Sequence, residues 1–169
     1  MPALRPPLRI GAALTAAEIA THRDWLFDHD RDIEIQDFMS HAALTHERDD
    51  RVAAVRAALD GHAGRRGIHG PFEGLDIDNK DPELRPLITA RFLAALEAAD
   101  RIGARQMVMH SPYTRWYEYN RLAQPDYAAT KLALVHDVMA PVVRKAGEMG
   151  ITLVIENIVD PDPATRRAL

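Results

Sequence analysis

The chain has 169 residues, of which 47% are hydrophobic and 27% charged, the balance of a globular domain with a sizeable core. The formal net charge is -4 and there are only three lysines, so binding to nucleic acid is not expected. The absence of cysteine excludes disulfides and thiolate ligands, and the lack of any apolar run of roughly 18 residues predicts no membrane partner and a cytoplasmic location.

The chain begins with a predicted strand over residues 8–14, followed by a helix start. Thr15 precedes the helix and Glu18 stands three positions later, which is the pattern of a capping box. A second strand is predicted over residues 33–38. In the helix that starts after Thr15, the residues expected to face the core are Ile19, Trp25 and Leu26.

Two further helices are predicted on either side of a third strand that ends at His69. Thr45 is the expected N-cap of the first of them, and Asp81 followed by Pro82 is the expected start of the other. Their apolar residues recur with roughly helical periodicity. They are Val52, Val55 and Leu59 in one helix, and Leu84, Ile88, Phe92, Leu96 and Ile102 in the other.

The remaining elements repeat the same alternation. A fourth strand is predicted over residues 107–110, a loop rich in tyrosine over residues 113–120, and a long helix from Pro125. A fifth strand with apolar residues on both faces follows over residues 151–155, as expected for a buried parallel strand. Asp162 then caps the start of a last short helix.

Five strand–helix alternations without a linker predict one α/β domain over residues 1–169, built on a parallel sheet. Two architectures remain open at this point. The sheet is either part of a (β/α) TIM-type barrel or an open, doubly wound sheet of flavodoxin-like type, which would be a binding module without a metal.

Three predicted strands end in a side chain that can bind a metal ion: His69, His110 and Glu156. They stand 41 and 46 positions apart, about one strand–helix unit each time. Because the carboxyl ends of parallel strands meet at one edge of a sheet, we expect the two imidazoles and the carboxylate to converge there. Two histidines and one glutamate that converge at one edge are typical of part of a metal site.

The motifs around these strand ends resemble those of the xylose isomerase-like TIM-barrel superfamily. They are Ile-His-Gly-Pro-Phe over residues 68–72, Gly-Ala before Met-Val-Met-His over residues 103–110, and Gly-Ile-Thr-Leu-Val-Ile-Glu-Asn over residues 150–157. The resemblance implies an eight-stranded barrel of about 250 residues, of which this chain would supply the N-terminal portion, with about the first five βα units. This superfamily includes sugar phosphate isomerases and epimerases, inosose dehydratase and endonuclease IV-type nucleases.

The resemblance also implies a metal-ligand set. The strand-five glutamate of the family corresponds to Glu156, and the endonuclease IV branch additionally uses the histidines that correspond to His69 and His110. In the epimerase branch the other ligands come from strands six to eight, so this portion alone is expected to be inactive. The implied cofactor is a divalent metal: Zn, Mn, Mg or Co.

Our main functional hypothesis is therefore a metal-dependent sugar or sugar-phosphate isomerase or epimerase, acting by proton transfer through an enediolate. The alternatives are an endonuclease IV-like zinc phosphodiesterase on abasic DNA and the non-enzymatic flavodoxin-like module. Glu156 is the predicted catalytic residue, and the other six histidines are expected in solvent. The predicted substrate-binding residues are His69, His110, Asn157, Trp116 and Asp37.

The predicted small-molecule partner is a carbohydrate. A five-stranded part of a barrel exposes unpaired sheet edges, so we also expect self-association into a homo-oligomer.

Overall fold

The computed structural model describes residues 10–159 and 162–169, and it has a sheet of five parallel strands with helices between them. The strands are β1 Ala12–Leu14, β2 Ile33–Ile35, β3 Arg66–His69, β4 Gln106–His110 and β5 Thr152–Glu156. The helices are α1 Ala16–Thr21, α2 Arg23–Phe27, α3 Arg48–Ala58, α4 Arg85–Arg101, α5 Tyr117–Ala123, α6 Tyr127–Met149 and α7 Pro163–Arg166, with a 3-10 turn at Ala42–Leu44. None of these helices is both long and apolar enough to cross a bilayer.

The strand order is sequential, β1-β2-β3-β4-β5, and every neighbouring pair is parallel. A flavodoxin-like sheet would instead place its first strand inside, in the order 2-1-3-4-5. Because right-handed crossovers between sequential strands put every helix on the same face, this order is that of a (β/α) barrel. The barrel-type prediction is confirmed, as a five-strand part of such a barrel.

The hydrophobic core lies between this helical layer and one face of the sheet. Alternate strand residues such as Ile35, Ile68 and Met107 are fully buried against the helices. The intervening residues belong to the opposite, concave face, where the Gln36 amide donates to the Glu34 carboxylate at 2.9 Å. The sheet therefore separates an apolar layer from a polar concave face.

The capping box at the start of α1 is confirmed. The Glu18 amide donates to the Thr15 hydroxyl, and the Thr15 amide donates to the Glu18 carboxylate at 2.8 Å. The helix ends earlier than expected, because the backbone leaves helical geometry at His22 before α2 begins. Trp25, expected in the core, is 46% exposed and lies under the Arg31 guanidinium instead.

Two helix starts were predicted at the wrong residue, although the buried faces of both helices were predicted well. Thr45 ends the 3-10 turn rather than capping α3, whose N-cap is Glu47. The segment after Asp81 forms a turn, so α4 begins only at Arg85, and Leu84 is exposed. Val52, Val55, Leu59, Ile88, Phe92, Leu96 and Ile102 are all buried as expected.

The predicted loop over residues 113–120 contains the start of α5. This short helix is held by Tyr117, whose ring packs edge-on against that of Tyr113 at 4.5 Å. The Asp162 cap of α7 is confirmed, since its side chain accepts from the Ala164 amide at 2.8 Å. Residues 8 and 9 of the predicted first strand lie outside the described residues, and the single-domain assignment of residues 1–169 stays a prediction.

Candidate metal centre

The three metal-competent side chains predicted from the sequence lie at one edge of the sheet. His110 and Glu156 are register partners at the carboxyl ends of β4 and β5, and the Ser111 amide donates to the Glu156 carbonyl just beyond them. His69 ends the neighbouring strand β3 and is in register with Val108. In β/α barrels this edge is where catalytic groups are placed.

The ligand atoms of these residues converge. The Nε2 atom of His69 lies 3.4 Å from Oε2 of Glu156, and the Nε2 atom of His110 lies 3.7 Å from the same oxygen. All three ligand atoms lie within 4.8 Å of one another. Two ligands of a tetrahedral zinc ion, each bound at about 2.0–2.2 Å, stand about 3.4 Å apart, so this spacing suits a shared cation.

The backbone after β3 orients the His69 ring. The His69 Nδ1–H group donates to the Gly70 carbonyl at 2.8 Å, which leaves the lone pair of the neutral ring on Nε2. Gly70 itself donates to the Val108 carbonyl at 2.7 Å, and a Cβ atom there would stand 2.9 Å from that oxygen. The close approach of β3 to β4 therefore requires glycine directly after the histidine.

In this arrangement two hydrogen-bond acceptors, one on His69 and one on Glu156, face each other. With Nδ1 of His69 used as a donor, its Nε2 lone pair and the Glu156 carboxylate oxygen face each other, and such a pair needs a proton or a cation between the atoms. Imidazole nitrogens and a carboxylate oxygen are ligands that Zn, Co and Mn accept, and the chain offers no thiolate. The residues present therefore fit a divalent cation.

His110 is held in a form that can bind a metal. Partial burial lowers the pKa of its imidazole, the nearby His69 lowers it further, and Glu156 raises it. A lowered pKa keeps the ring neutral at neutral pH, which is the state that a metal ligand requires.

Phe72 contacts both imidazoles and was not predicted as a site residue. Its ring stacks on that of His110 at 4.3 Å and meets that of His69 edge-on at 5.0 Å, while the two imidazoles are themselves perpendicular at 4.9 Å. The feature of the sequence that could have indicated this role is an aromatic residue two positions after the His-Gly pair. The three rings form one packed group that fixes the direction of both Nε2 atoms.

The other predicted substrate-binding residues lie at different distances from this centre. Trp116 is 63% exposed and lines a cavity that His110 also lines. Asn157 is exposed directly after Glu156. Asp37 lies just after β2, and its carboxylate accepts a hydrogen bond from the Ala16 amide at 2.9 Å. Burial raises the pKa of this carboxyl group. Substrate contact by these three residues stays a prediction.

One buried histidine contradicts its expected exposure, and one buried lysine was not predicted. His62, grouped with the solvated histidines, is 3% exposed and shares a hydrogen bond of 2.8 Å with the Arg31 carbonyl. Lys131 is 5% exposed and forms an ion pair with Asp78. Lys131 stands four positions before the buried Val135 on α6. This spacing places Lys131 on the apolar face of the helix, and it is the feature of the sequence from which its burial could have been predicted.

A large cavity of the described residues lies away from this centre. It has a volume of about 790 Å³ and lies at the opposite end of the sheet, where Gly11, Asp32 and Arg66 line it beside the amino-terminal ends of the strands. In barrels that end serves stability, whereas the chemistry belongs to the carboxyl-terminal end. The geometry of His69, His110 and Glu156 therefore outweighs cavity size in locating the site.

The sequence and the fold point to the same family. A model of the family described as xylose isomerase-like TIM barrel matches residues 28–166. The chain belongs to this family. No protein of curated function matches the chain significantly.

Several solved structures resemble the fold of the chain. The TTHB071 protein from Thermus thermophilus, from a crystal soaked with ZnCl2, is 26% identical with a TM-score of 0.67, over 95% of this chain and 61% of that one. A D-tagatose 3-epimerase-like protein has 16% identity and a TM-score of 0.65, over 89% and 54% of the two chains. The 3-keto-D-glucoside 4-epimerase from E. coli, in its apo form, has 17% identity and a TM-score of 0.62, over 88% and 56%. The chain thus spans between 54% and 61% of the length of these proteins.

Proposed function

We propose that the chain belongs to a divalent-metal-dependent isomerase or epimerase acting on a sugar. The observation that carries the proposal is the convergence of His69, His110 and Glu156, with ligand atoms within 4.8 Å, at the carboxyl-terminal edge of the sheet. The family is xylose isomerase-like, and two structural neighbours are named as an epimerase and an epimerase-like protein. These names agree with the proposal in reaction class, while their low identity to the chain makes them evidence of fold.

Each of the three residues has a defined part in holding the cation. Glu156 supplies a carboxylate oxygen that faces both rings, and its side chain is 47% exposed, so it borders the space open to a substrate. His69 is buried and oriented by Gly70, and His110 is kept neutral by burial. When bound, Zn, Mn, Mg or Co would act as a Lewis acid on a carbonyl and an adjacent hydroxyl of a sugar.

The proposed reaction takes a proton from the carbon beside the sugar carbonyl and returns it to the same or the neighbouring carbon. Glu156 would orient the group that carries this proton. Trp116 and Asn157, which border the same edge, would contact the sugar. Asp37 is committed to the amide of Ala16, so we propose that its part is to hold the β2 loop beside the site.

Glu156→Gln tests the proposal, because it preserves the shape of the side chain and removes its charge. We expect the variant chain to lose bound metal, and the same variant of the complete barrel that contains this chain to lose turnover with D-fructose or D-tagatose, detected by chromatography of the ketose products. Glu148→Gln is the matched control, since Glu148 is an exposed residue of α6 paired with Lys145. Unchanged metal content and turnover in Glu156→Gln would rule out the assignment.

A second candidate is supported by the same three residues. Endonuclease IV-like sites use strand-three and strand-four histidines together with the strand-five glutamate, which is the set that converges here. The net charge of -4 disfavours it, because a DNA backbone attracts proteins with a basic surface. Incision of a duplex oligonucleotide with one abasic site, measured with Zn present, distinguishes this candidate from a sugar isomerase.

A further inference from the structure

A second cavity opens beside His110, and we call it the distal pocket. It has a volume of about 420 Å³, within the range of small-molecule sites. Its walls come from the chain after β3, after β4 and after β5, and its floor comes from α4 and α6. Because His110 belongs both to this wall and to the candidate metal centre, a molecule bound at the centre can extend into the pocket.

An ion pair between a buried lysine and a partly buried aspartate lines the distal pocket. Lys131 is 5% exposed, and its Nζ atom donates to a carboxylate oxygen of Asp78, a residue 53 positions earlier. An ammonium group has three N–H donors, and this one has Asp78 as its protein partner among the described residues. Two donors of a buried cation are thus left for a molecule in the pocket.

The charges of the distal pocket balance. Among the described residues, its lining has two carboxylates, Asp76 and Asp78, and two basic side chains, Arg115 and Lys131. A phosphate or carboxylate group would need a surplus of positive charge there, and Lys131 is already neutralised by Asp78. The lining therefore favours an uncharged molecule.

The rest of the lining combines aromatic and apolar surface with a few hydroxyl groups. Trp116, Ile158 and Val159, which line it, are 63%, 47% and 42% exposed. Tyr127 also lines it, and its hydroxyl accepts from the Asn120 side-chain amide at 3.3 Å. Aromatic faces beside hydrogen-bonding groups suit a ring that has C–H bonds on its faces and hydroxyls on its edge.

We propose that the distal pocket binds the non-reacting, uncharged part of the substrate, a sugar ring joined by a glycosidic bond to the part held at the candidate metal centre. Lys131 donates to one ring hydroxyl, Asp78 accepts from its neighbour, and Trp116 covers one face of the ring. The substrate is accordingly a neutral glycoside rather than a sugar phosphate. This proposal rests on the proposed function for the position of the reacting end.

Binding to metal-free protein tests the distal pocket independently of catalysis. Methyl β-D-glucopyranoside and glucose 6-phosphate are titrated separately into the EDTA-treated chain, and their affinities are measured by ligand-observed NMR. We expect the glycoside to bind about 10-fold more tightly than the phosphate, because the described residues of the lining carry no surplus of positive charge. Tighter binding of glucose 6-phosphate, or no binding of the glycoside, would overturn the proposal.

Three variants locate the binding. Trp116→Ala removes an exposed ring and should weaken glycoside binding about 5-fold, whereas Tyr119→Ala, which removes an exposed ring outside the lining, should leave it unchanged. The double variant Lys131→Met, Asp78→Asn removes the ion pair without leaving a lone charge and should weaken it about 30-fold. Equal affinity in Trp116→Ala and Tyr119→Ala would contradict the pocket assignment.

Glu156→Gln separates this proposal from the proposed function. The variant should keep full affinity for the glycoside, because Glu156 lines the metal centre and not the distal pocket. If glycoside binding is retained while the complete barrel that contains this chain turns over no ketose, the proposed function fails and the pocket stands. If turnover is present but Trp116→Ala leaves glycoside affinity unchanged, the pocket fails and the function stands.

Discussion

The Nε2 atom of His69 and Oε2 of Glu156 stand 3.4 Å apart, although 87 positions of sequence separate the residues. The distance is set by two parallel pairings, because β3 lies beside β4 and β4 beside β5. The Gly70 carbonyl fixes the ring of His69 so that Nε2 faces the carboxylate. The barrel scaffold and one backbone hydrogen bond thus prepare the candidate metal centre.

Phe72 should influence metal affinity without being a ligand. Phe72→Leu removes the ring that contacts both imidazoles, and we expect metal affinity to fall about 10-fold, the effect typical of groups that orient ligands. Phe72→Tyr keeps the ring and should restore it. Isothermal titration calorimetry gives the affinity, and the visible spectrum of the Co(II) form reports the ligand geometry; an unchanged spectrum and affinity in Phe72→Leu would show that the contact has no such role.

Much of the fold could be predicted from local sequence because the deciding interactions are local. The capping box needs only Thr15 and Glu18, and the apolar runs that end at His69, His110 and Glu156 are readable as strands. The convergence of these three residues follows from the parallel order of the strands, so the candidate metal centre was predictable from the strand ends alone.

The features that escaped prediction depend on distant partners. The burial of Lys131 depends on Asp78, which stands 53 positions earlier, and His62 is buried with the Arg31 carbonyl as its partner. The start of α5 depends on the packing of Tyr117 against Tyr113 rather than on a periodic apolar pattern. No pattern within one element contains this information.

Stability should decline in mild acid because of His62. Burial lowers the pKa of this imidazole in the folded chain below its ordinary value of about 6.5. Above that pH the ring is neutral in both the folded and the unfolded chain, and its full contribution to the free energy of unfolding is present. As the pH falls from about 6.5 toward the folded-state pKa, only the unfolded chain takes up the proton, so the free energy of unfolding decreases by at most about 1.4 kcal/mol per pH unit.

Urea unfolding at several pH values, compared between the unmodified chain and His62→Gln, measures this contribution. Glutamine can still donate to the Arg31 carbonyl and does not titrate, so its stability curve should be flatter below a pH of about 6.5. Parallel curves for the two proteins would contradict the assignment.

Removal of Lys131 alone should destabilise the fold. Lys131→Met leaves the Asp78 carboxylate, whose side chain is 23% exposed, without its ion-pair partner, and we expect a loss of about 2–3 kcal/mol in the free energy of unfolding. Adding Asp78→Asn should recover most of that loss. Chemical denaturation of the two variants is the measurement, and a double variant no more stable than Lys131→Met would refute this explanation.

The chain by itself should self-associate. Strands β1 and β5 each pair on one side only within the described residues, and their free edges can pair with another copy. Light scattering over a range of concentrations should show a mass that rises with concentration. A monodisperse monomer at high concentration would contradict the expectation.

The most direct test of the candidate metal centre is the amount of Zn bound per chain, measured by mass spectrometry of the element after equilibration and desalting. We predict about one ion per unmodified chain and per Glu148→Gln control, and close to none in Glu156→Gln. Equal zinc content in Glu156→Gln and the unmodified chain would contradict the assignment of Glu156 as a ligand and, with it, the proposed metal-dependent function.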